Sequence, residues 1–485
     1  VSGLNIKGKV VGLLVVIALL VGSGGTYAAM ALFQDDSNGG SERSVSNGSD
    51  SDIDSEELTK INKAYELITD RYVSDVDQKN LLDGAIKGML DTLEDPYSVY
   101  MDPETAEQFS QSLGSSFEGI GAEVNMQDGR VTIVSPYKDS PAENAGLRPN
   151  DKIMTIDGES TEGLDLYDAV LKIRGEKGTV VKLGIQRPGV SETLEVDVTR
   201  DEIPIETVYS DTVRKNGKTI GVLQITSFSE NTAESFSKEL KKLEDQGIDG
   251  LVLDVRNNPG GLLNSVSDIA QEVIPGEKPF VQIEDRKGEK QRSVSSLQEK
   301  KDYPIVGLID RGSASAAEIL AGALKEAGGY ELVGEKTFGK GTVQTTVDLG
   351  DGSNIKLTMF KWLTPDGNWI HKEGIKPTVE ADQPSYFYVN PLNTEKTLQY
   401  DQNNKQVESA QVMLKGLGFE PGRTDGYFSD KTTTAVKAFQ RTNDLSVSGK
   451  INEETAQKLQ EKILESIRNP ENDIQLETAV ELLAK

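Results

Sequence analysis

The sequence predicts a multidomain α/β protein, in which a helical region and a β-rich module precede an α/β core and an all-α domain follows it. Three observations predict this. The chain has 485 residues, more than the ~100–200 that one domain ordinarily uses. Its texture changes in steps, from helical periodicity at 56–113 to short β-like runs at 114–200 and again to helical periodicity at 405–462. Between the last two, 201–385 alternates strand-like and helix-like runs, the pattern of an α/β layer.

At the start, Lys7 and Lys9 precede the apolar run Val10 to Val21, and apolar character resumes from Tyr27 to Phe33. Roughly 24 residues are available for a span, against the ~20 a bilayer needs. Lysines before the run and Asp35 and Asp36 after it put 1–9 in the cytoplasm and the rest outside. Residues 1–33 therefore read as a cytoplasmic stub with a transmembrane segment, which makes this a single-pass membrane protein with its folded part outside the cytoplasm. A cleaved signal peptide is the second reading, because Ala29-Met30-Ala31 fits a small-x-small cleavage pattern and would release a secreted protein. The polar stretch 34–55 reads as a flexible stalk.

In 56–113, Leu58, Ile61, Tyr65, Ile68 and Tyr72 fall at helical spacing, and Leu81 to Leu93 form a second stripe ending at Asp95-Pro96. Such stripes face either a core or a partner subunit, and core is the expectation. In 114–200, runs such as Val131 to Val134, Lys152 to Ile156 and Val180 to Ile185 are separated by turn residues, with one amphipathic helix around Leu166 to Ile173. Candidate core strands are Thr219 to Ile225, Leu251 to Val255, Phe280 to Ile283, Ile305 to Asp310 and Leu332 to Glu335. A linker at 386–404 leads to 405–462, where Val407, Ala410, Leu414 and Leu417 share one face and Ala435, Val436 and Phe439 another. Residues 463–485 read as a tail.

Composition removes several chemistries. With 52 Lys+Arg against 79 Asp+Glu, formally −27, the chain opposes any general grip on phosphates, so nucleic acid is not an expected partner. It has no cysteine and one histidine, His371, which excludes a thiol nucleophile, a disulfide framework and an ordinary Cys/His zinc site. No metal and no organic cofactor is implied.

Ile305 to Asp310 reads as a buried strand and Ala316 to Ala327 as a helix ended by Gly328-Gly329, with Arg311-Gly312-Ser313-Ala314-Ser315 between them. A serine at such a turn has its hydroxyl beside the positive end of a helix dipole, so Ser315 is placed as a nucleophile. Serine is also a common N-cap, and the turn alone does not separate the two. The next loop, Phe338-Gly339-Lys340-Gly341-Thr342-Val343-Gln344, flanks Lys340 with glycines that let the backbone pack closely and turn the ammonium inward. A lysine kept dry loses affinity for its proton and can act as general base toward a hydroxyl without histidine. Gln344 could orient that amine through its side-chain carbonyl. Finally, Leu251 to Val255 runs into Arg256-Asn257-Asn258-Pro259-Gly260-Gly261, which is either a plain turn or a set of backbone N–H groups for an oxyanion hole. His371, in Trp369-Ile370-His371-Lys372, has no orienting acid by pattern, so a structural or substrate-groove role is expected.

Together, Gly312-Ser313-Ala314-Ser315-Ala316 and Phe338 to Gln344, with Lys340 25 positions after Ser315, resemble the carboxy-terminal processing, or tail-specific, serine peptidases over about residues 56–385. The resemblance implies Ser315 as nucleophile, Lys340 as general base, Gln344 as orienting third member, and backbone N–H of Ala316 with Gly260 or Gly261 as oxyanion donors. It implies a crotonase-like α/β protease core with a PDZ domain inserted before it, and N-terminal helices that often form homodimers. Ala317 departs from the Ser that many relatives carry there. Ser140-Pro141-Ala142 through Ala145-Gly146-Leu147, with Asp151-Lys152-Ile153, resembles a bacterial PDZ domain at 114–200, although Asn150 stands where Gly is usual. On that resemblance Gly119, Ile120 and Gly121 form the loop that binds a peptide carboxylate, the adjoining strand edge accepting the peptide. Arg174 is then a candidate for coupling peptide occupancy to Lys340, a surface salt bridge being the alternative. Val407 to Phe419, Asp425-Gly426-Tyr427-Phe428 and Thr432 to Gln440 resemble a peptidoglycan-binding helical domain. The expected function is a serine endopeptidase of the cell envelope that processes or degrades proteins after recognising their free C-termini, with peptidoglycan as a further partner. An inactive PDZ scaffold at the wall and acyl-CoA chemistry on the crotonase-type fold are the rivals.

Overall fold

The computed structural model describes residues 55–485 apart from 115, 128, 165, 189, 191 and 393–395. The expected membrane segment and nearly all of the stalk lie outside the described residues. Two helices, Ser55–Arg71 and Gln78–Asp91, open the chain, the second capped by Asp77, whose carboxylate accepts from the Lys79 and Asn80 N–H groups. Their apolar stripes are not core. Leu58, Ile61, Ile68, Tyr72, Leu82, Met89 and Leu93 are all exposed. Periodicity reports that a helix has an apolar face and is silent about what covers it, which is why the core expectation fails here. The helix Pro103–Leu113 and the short strand Val99–Met101 bury Met101, Ala106 and Phe109 together.

The β-rich module is an antiparallel sheet in the order Ala122–Gln127, Arg130–Pro136, Lys152–Ile156, Val180–Gln186, Leu194–Thr199. Alternate residues Val181, Leu183 and Ile185 point inward with Ile133 and Ile153, and helix Leu166–Ile173 closes the core with Ala169 and Ile173. Asn150 sits at φ +68°, a left-handed position that asparagine tolerates. A two-stranded ribbon, Ser116–Gly119 against Asp201–Pro204, brackets the module, one strand on either side of it in the chain.

The core sheet runs Val208–Lys215, Lys218–Ile225, Gly250–Asp254, Ile305–Ile309, Glu331–Gly334, Val379–Glu380, parallel except at its first edge. All five residues of each of the two central strands are buried, as a parallel sheet covered on both faces requires. Helices Thr232–Asp245, Leu263–Val273 and Ala316–Gly322 share the large apolar cluster on one face. The other face is covered by helix Ile474–Leu483, whose Ala479, Val480 and Leu483 pack on Ile220, Val252, Val306, Leu308 and Val333. The segment read as a tail is thus a structural part of the core. Phe280 to Ile283, read with the core strands, belongs instead to a second, antiparallel sheet of Val99–Met101, Asn354–Leu363, Pro279–Glu284 and Lys290–Val294, with Thr342–Asp348 pairing to Asn354–Leu363. Helices Lys405–Gly416, Asp430–Thr442 and Glu453–Arg468 enclose a separate core of Val407, Leu414, Phe428, Val436, Phe439 and Leu459. Loops 255–261, 310–315 and 335–341 leave the carboxyl ends of adjacent parallel strands, where open α/β sheets place their sites.

Candidate active site

Ser315 is 8% exposed and sits at φ +54°, ψ −114°, just before the helix that begins at Ala316. A non-glycine residue at positive φ is costly and persists only where its surroundings hold it. Here several bonds hold it. Ser313 Oγ donates to the Val255 carbonyl at 2.8 Å, the Ala314 N–H donates to the Asn258 carbonyl at 2.9 Å, and the Phe338 N–H donates to the Ser313 carbonyl at 3.0 Å. The turn is therefore pinned to both neighbouring loops. Gly260, at φ +107°, presses against it so closely that a Cβ there would lie 2.8 Å from Ser315 Cβ and 3.0 Å from the Ala316 nitrogen. That close approach, and not a mere change of direction, is why a glycine is needed.

The two glycines differ as oxyanion donors. The Gly260 N–H is spent on Asn258 Oδ1 at 2.8 Å, while Asn258 Nδ2 donates to the Ile225 carbonyl. Gly260 therefore serves as a spacer against the serine turn, while Gly261 packs on the Phe228 backbone; the Ala316 N–H, at the first position of its helix, has no intrahelical partner. Arg256 braces the strand that feeds this loop: it donates to Asp254 and, from the C-terminal helix segment, to Asp473 at 2.7–2.9 Å.

Lys340 is 3% exposed. Its flanking glycines do what the sequence suggests, since a Cβ on Gly339 would meet the Gly374 nitrogen at 2.9 Å and one on Gly341 the His371 nitrogen at 2.8 Å. Trp362 Nε1 donates to the Lys340 carbonyl and Trp369 Nε1 to that of Gly341, each at 2.7 Å. The ammonium lies 4.7 Å from the centre of the Tyr97 ring. Burial, reinforced by the charge of Lys356 and opposed by Asp95 and Glu318, brings the Lys340 amine down to about 7. Gln344 is buried at a bulge in its strand, and its Nε2 donates to Thr342 Oγ1 (3.1 Å) and Thr358 Oγ1 (3.0 Å), so two hydroxyls fix the orientation of the amide.

Three features were not anticipated from the sequence. Glu318 is fully buried and accepts from the Ser315 N–H and Lys340 N–H on one oxygen (2.9 and 2.8 Å) and from Thr337 Oγ1 and the Gly339 N–H on the other (2.5 and 2.7 Å), tying the serine turn to the lysine loop. Burial pushes this carboxyl up while the four donors pull against that. The spacing Ser315-x-x-Glu318 is that of a capping box and could have pointed to it. The loop Asp95 to Ser98 arrives from far upstream; Asp95 is bonded by Ser98 Oγ (2.6 Å), and Ser98 Oγ in turn accepts the Thr358 N–H (3.0 Å). Lys356, a second buried lysine, is the third. Beside Lys340 opens a cleft of about 630 Å³ lined by Tyr97, Phe338, Met359, Trp369 and His371 among others. His371 stacks on Trp369 at 5.2 Å, and burial followed by Lys372 holds its imidazole below its ordinary range.

In the β-rich module Ile120 is buried, with its carbonyl bound by the Ala142 N–H, and Gly121 takes φ +72°. The Arg174 guanidinium lies 4.9 Å from the Phe117 ring centre and beside Gly119, which places it at the candidate carboxylate loop. The arrangement ties a turn that carries an alcohol to a loop that carries an enclosed amine, two of the parts that acyl transfer needs.

Comparison with known proteins identifies the family of the chain and of its modules. Family models match for peptidase family S41 at residues 219–381, the N-terminal domain of the activating protease CtpB at 19–105, a PDZ domain at 119–198 and a putative peptidoglycan binding domain at 403–459. The carboxy-terminal processing protease CtpB of Bacillus subtilis (strain 168) is 52% identical over 98% of this chain and 99% of its own length, and CtpA of the same organism is 44% identical over 88% and 90%. Among solved structures, the photosystem II D1 C-terminal processing protease is 32% identical over 68% of this chain and 94% of that one, with a TM-score of 0.42. The chain belongs to peptidase family S41, among the carboxy-terminal processing proteases.

Proposed function

We propose that the protein is a serine endopeptidase in which the PDZ domain takes the C-terminus of a polypeptide and Ser315, Lys340 and Gln344 cut it. The observation that carries this reading is the enclosed Lys340 amine, at about 7, on a loop tied by Glu318 to the turn that holds Ser315. Lys340 Nζ removes the hydroxyl proton as Ser315 Oγ attacks the peptide carbonyl carbon, and the N–H groups of Ala316 and Gly261 receive the developing oxyanion. The proton passes from Lys340 to the departing amine, leaving an ester on Ser315. Water, deprotonated by Lys340 Nζ, then attacks that ester, and the proton passes to Ser315 Oγ as its bond to the acyl carbon breaks and the acid is released. Gln344, held by Thr342 and Thr358, offers its carbonyl to the amine. Arg174, beside the carboxylate loop, carries the state of the PDZ domain toward Lys340.

The exposed stripes of the two N-terminal helices support a homodimer, since an apolar face of this extent calls for a cover. The apolar run in 1–33 supports placement at the membrane with the protease outside the cytoplasm, and the C-terminal helical domain supports contact with peptidoglycan. To test the central reading, matched unstructured polypeptides with free and amidated C-termini are offered to the parent protein and to Ser315→Ala. The parent is expected to cut the free form faster and the variant neither; cleavage by the variant would refute the assignment of the nucleophile.

A further inference from the structure

With Lys340 read as the base, as proposed above, the structure buries a second lysine that the mechanism does not use. Lys356 is 2% exposed and lies on Asn354–Leu363, in register with Val99 on one side and Thr346 on the other. Side chains two apart on a strand share a face, so Lys356 emerges on the face of Thr358, the hydroxyl that holds Gln344. Its ammonium stands 5.0 Å from the Phe109 ring centre, as that of Lys340 stands 4.7 Å from the Tyr97 ring centre. Tyr97, whose ring faces the Lys340 amine, and Val99, the register partner of Lys356, belong to one short segment, so one stretch of chain runs past both lysines. Two buried ammonium groups that feel each other repel, and the repulsion is relieved when one gives up its proton.

We propose that Lys356 is a positioning residue for the proton transfer: its charge, held on the face of the sheet that carries Gln344, keeps the Lys340 amine unprotonated near neutral pH and so sets the pH at which the site becomes active. After burial, Lys356 is the largest influence lowering Lys340, and burial brings Lys356 itself down to about 8. The other charged groups around the pair act the opposite way or carry no charge in that range. Asp95 favours protonation of both amines and Glu318 that of Lys340. The Tyr97 phenol is held above its ordinary range by burial, His371 is held below its own, and Tyr100, on the adjoining strand, donates to Asp83.

The test is the pH profile of kcat/KM on a labelled unstructured polypeptide for the full chain, Lys356→Met, Lys356→Arg and Lys340→Ala. Methionine nearly keeps the volume and removes the charge; arginine keeps the charge. The acid limb of Lys356→Met is expected to move up by about one pH unit, with about a fivefold loss at pH 7 recovered at high pH. The limb of Lys356→Arg is expected to stay with the parent, and Lys340→Ala to be inactive throughout. A Lys356→Met limb coincident with the parent's overturns the role of Lys356 and leaves Lys340 as base, whereas activity in Lys340→Ala refutes the base reading itself. Should Lys356→Met fail to fold by circular dichroism, lysine 13Cε NMR of the parent decides: the Lys340 signal is expected to titrate at lower pH than that of Lys356, and Lys356 losing its proton first overturns the proposal.

Discussion

Replacing Glu318 by glutamine changes one atom type and leaves the volume intact, which isolates what its charge and lone pairs do. Its two oxygens each accept two hydrogen bonds, from Ser315 and Lys340 N–H on one and from Thr337 Oγ1 and Gly339 N–H on the other. Whichever way the amide sits, its NH2 faces a backbone N–H that loses its acceptor: both Ser315 and Lys340 on one side, or Gly339 on the other, where the Thr337 hydroxyl can turn to accept. A buried donor so orphaned costs about 1–3 kcal/mol, against the ~5–15 that holds a typical domain together. Catalysis should suffer too, because these bonds set the serine turn against the lysine loop and a shift of ~1 Å can cost ~100-fold. Both tryptophans of the chain, Trp362 and Trp369, bond to the lysine loop, so their fluorescence in a urea titration reports the local loss directly. Glu318→Gln is expected to unfold at lower urea and to lose about 100-fold in kcat/KM, while binding of a C-terminal peptide to the PDZ domain is unchanged. Parent-like stability and turnover together would refute the idea that this carboxylate holds the two loops.

Three further outcomes are expected from the same geometry. Since the Lys340 amine is neutral above about 7 and protonated below, cleavage should rise through that pH; a flat profile from acid to alkaline pH would contradict a lysine base. Gly260→Ala places a Cβ 2.8 Å from Ser315 Cβ and 2.9 Å from the Ala314 carbonyl oxygen at φ +107°, so activity should fall by about 100-fold or more in a protein whose circular dichroism stays native; normal turnover would show that the two loops do not meet so tightly. Truncation after residue 469 removes the helix covering Ile220, Val252, Val306, Leu308 and Val333. With each exposed side chain costing about 1.5–3 kcal/mol, the shortened chain should melt lower or aggregate, and an unchanged melting temperature would mean that the helix is dispensable.

Local patterns made much of this molecule legible. The alternation of buried runs in 201–385 exposed the α/β core, and a strand, a short loop and a helix around Arg311 to Ala316 located the serine turn. Glycines on both sides of Lys340 marked a backbone under steric demand, and the packing of His371 and Gly374 against them gives the reason. What stayed hidden depends on contacts between distant segments. Asp95 to Ser98 reaches Thr358 across the second sheet, and nothing in its own residues announces that destination. Lys356 alternates with Ile355 and Leu357, so it reads as the wet face of a strand; only the helix carrying Phe109 makes that face dry. The apolar stripes of the first two helices failed for the reverse reason, a correct amphipathic pattern with no cover within the described residues. Helix Ile474–Leu483 was missed as part of the core because ten residues after a separate domain carry no mark of the sheet they return to.

The most direct measurement is the rate at which the parent protein, Ser315→Ala and Lys340→Ala each cut one unstructured polypeptide, followed by mass spectrometry of the fragments at a pH above 7. Cleavage by the parent and loss of at least ~1,000-fold in both variants, each still folded, is the predicted result. Equal cleavage by all three would contradict the pairing of this alcohol with this amine.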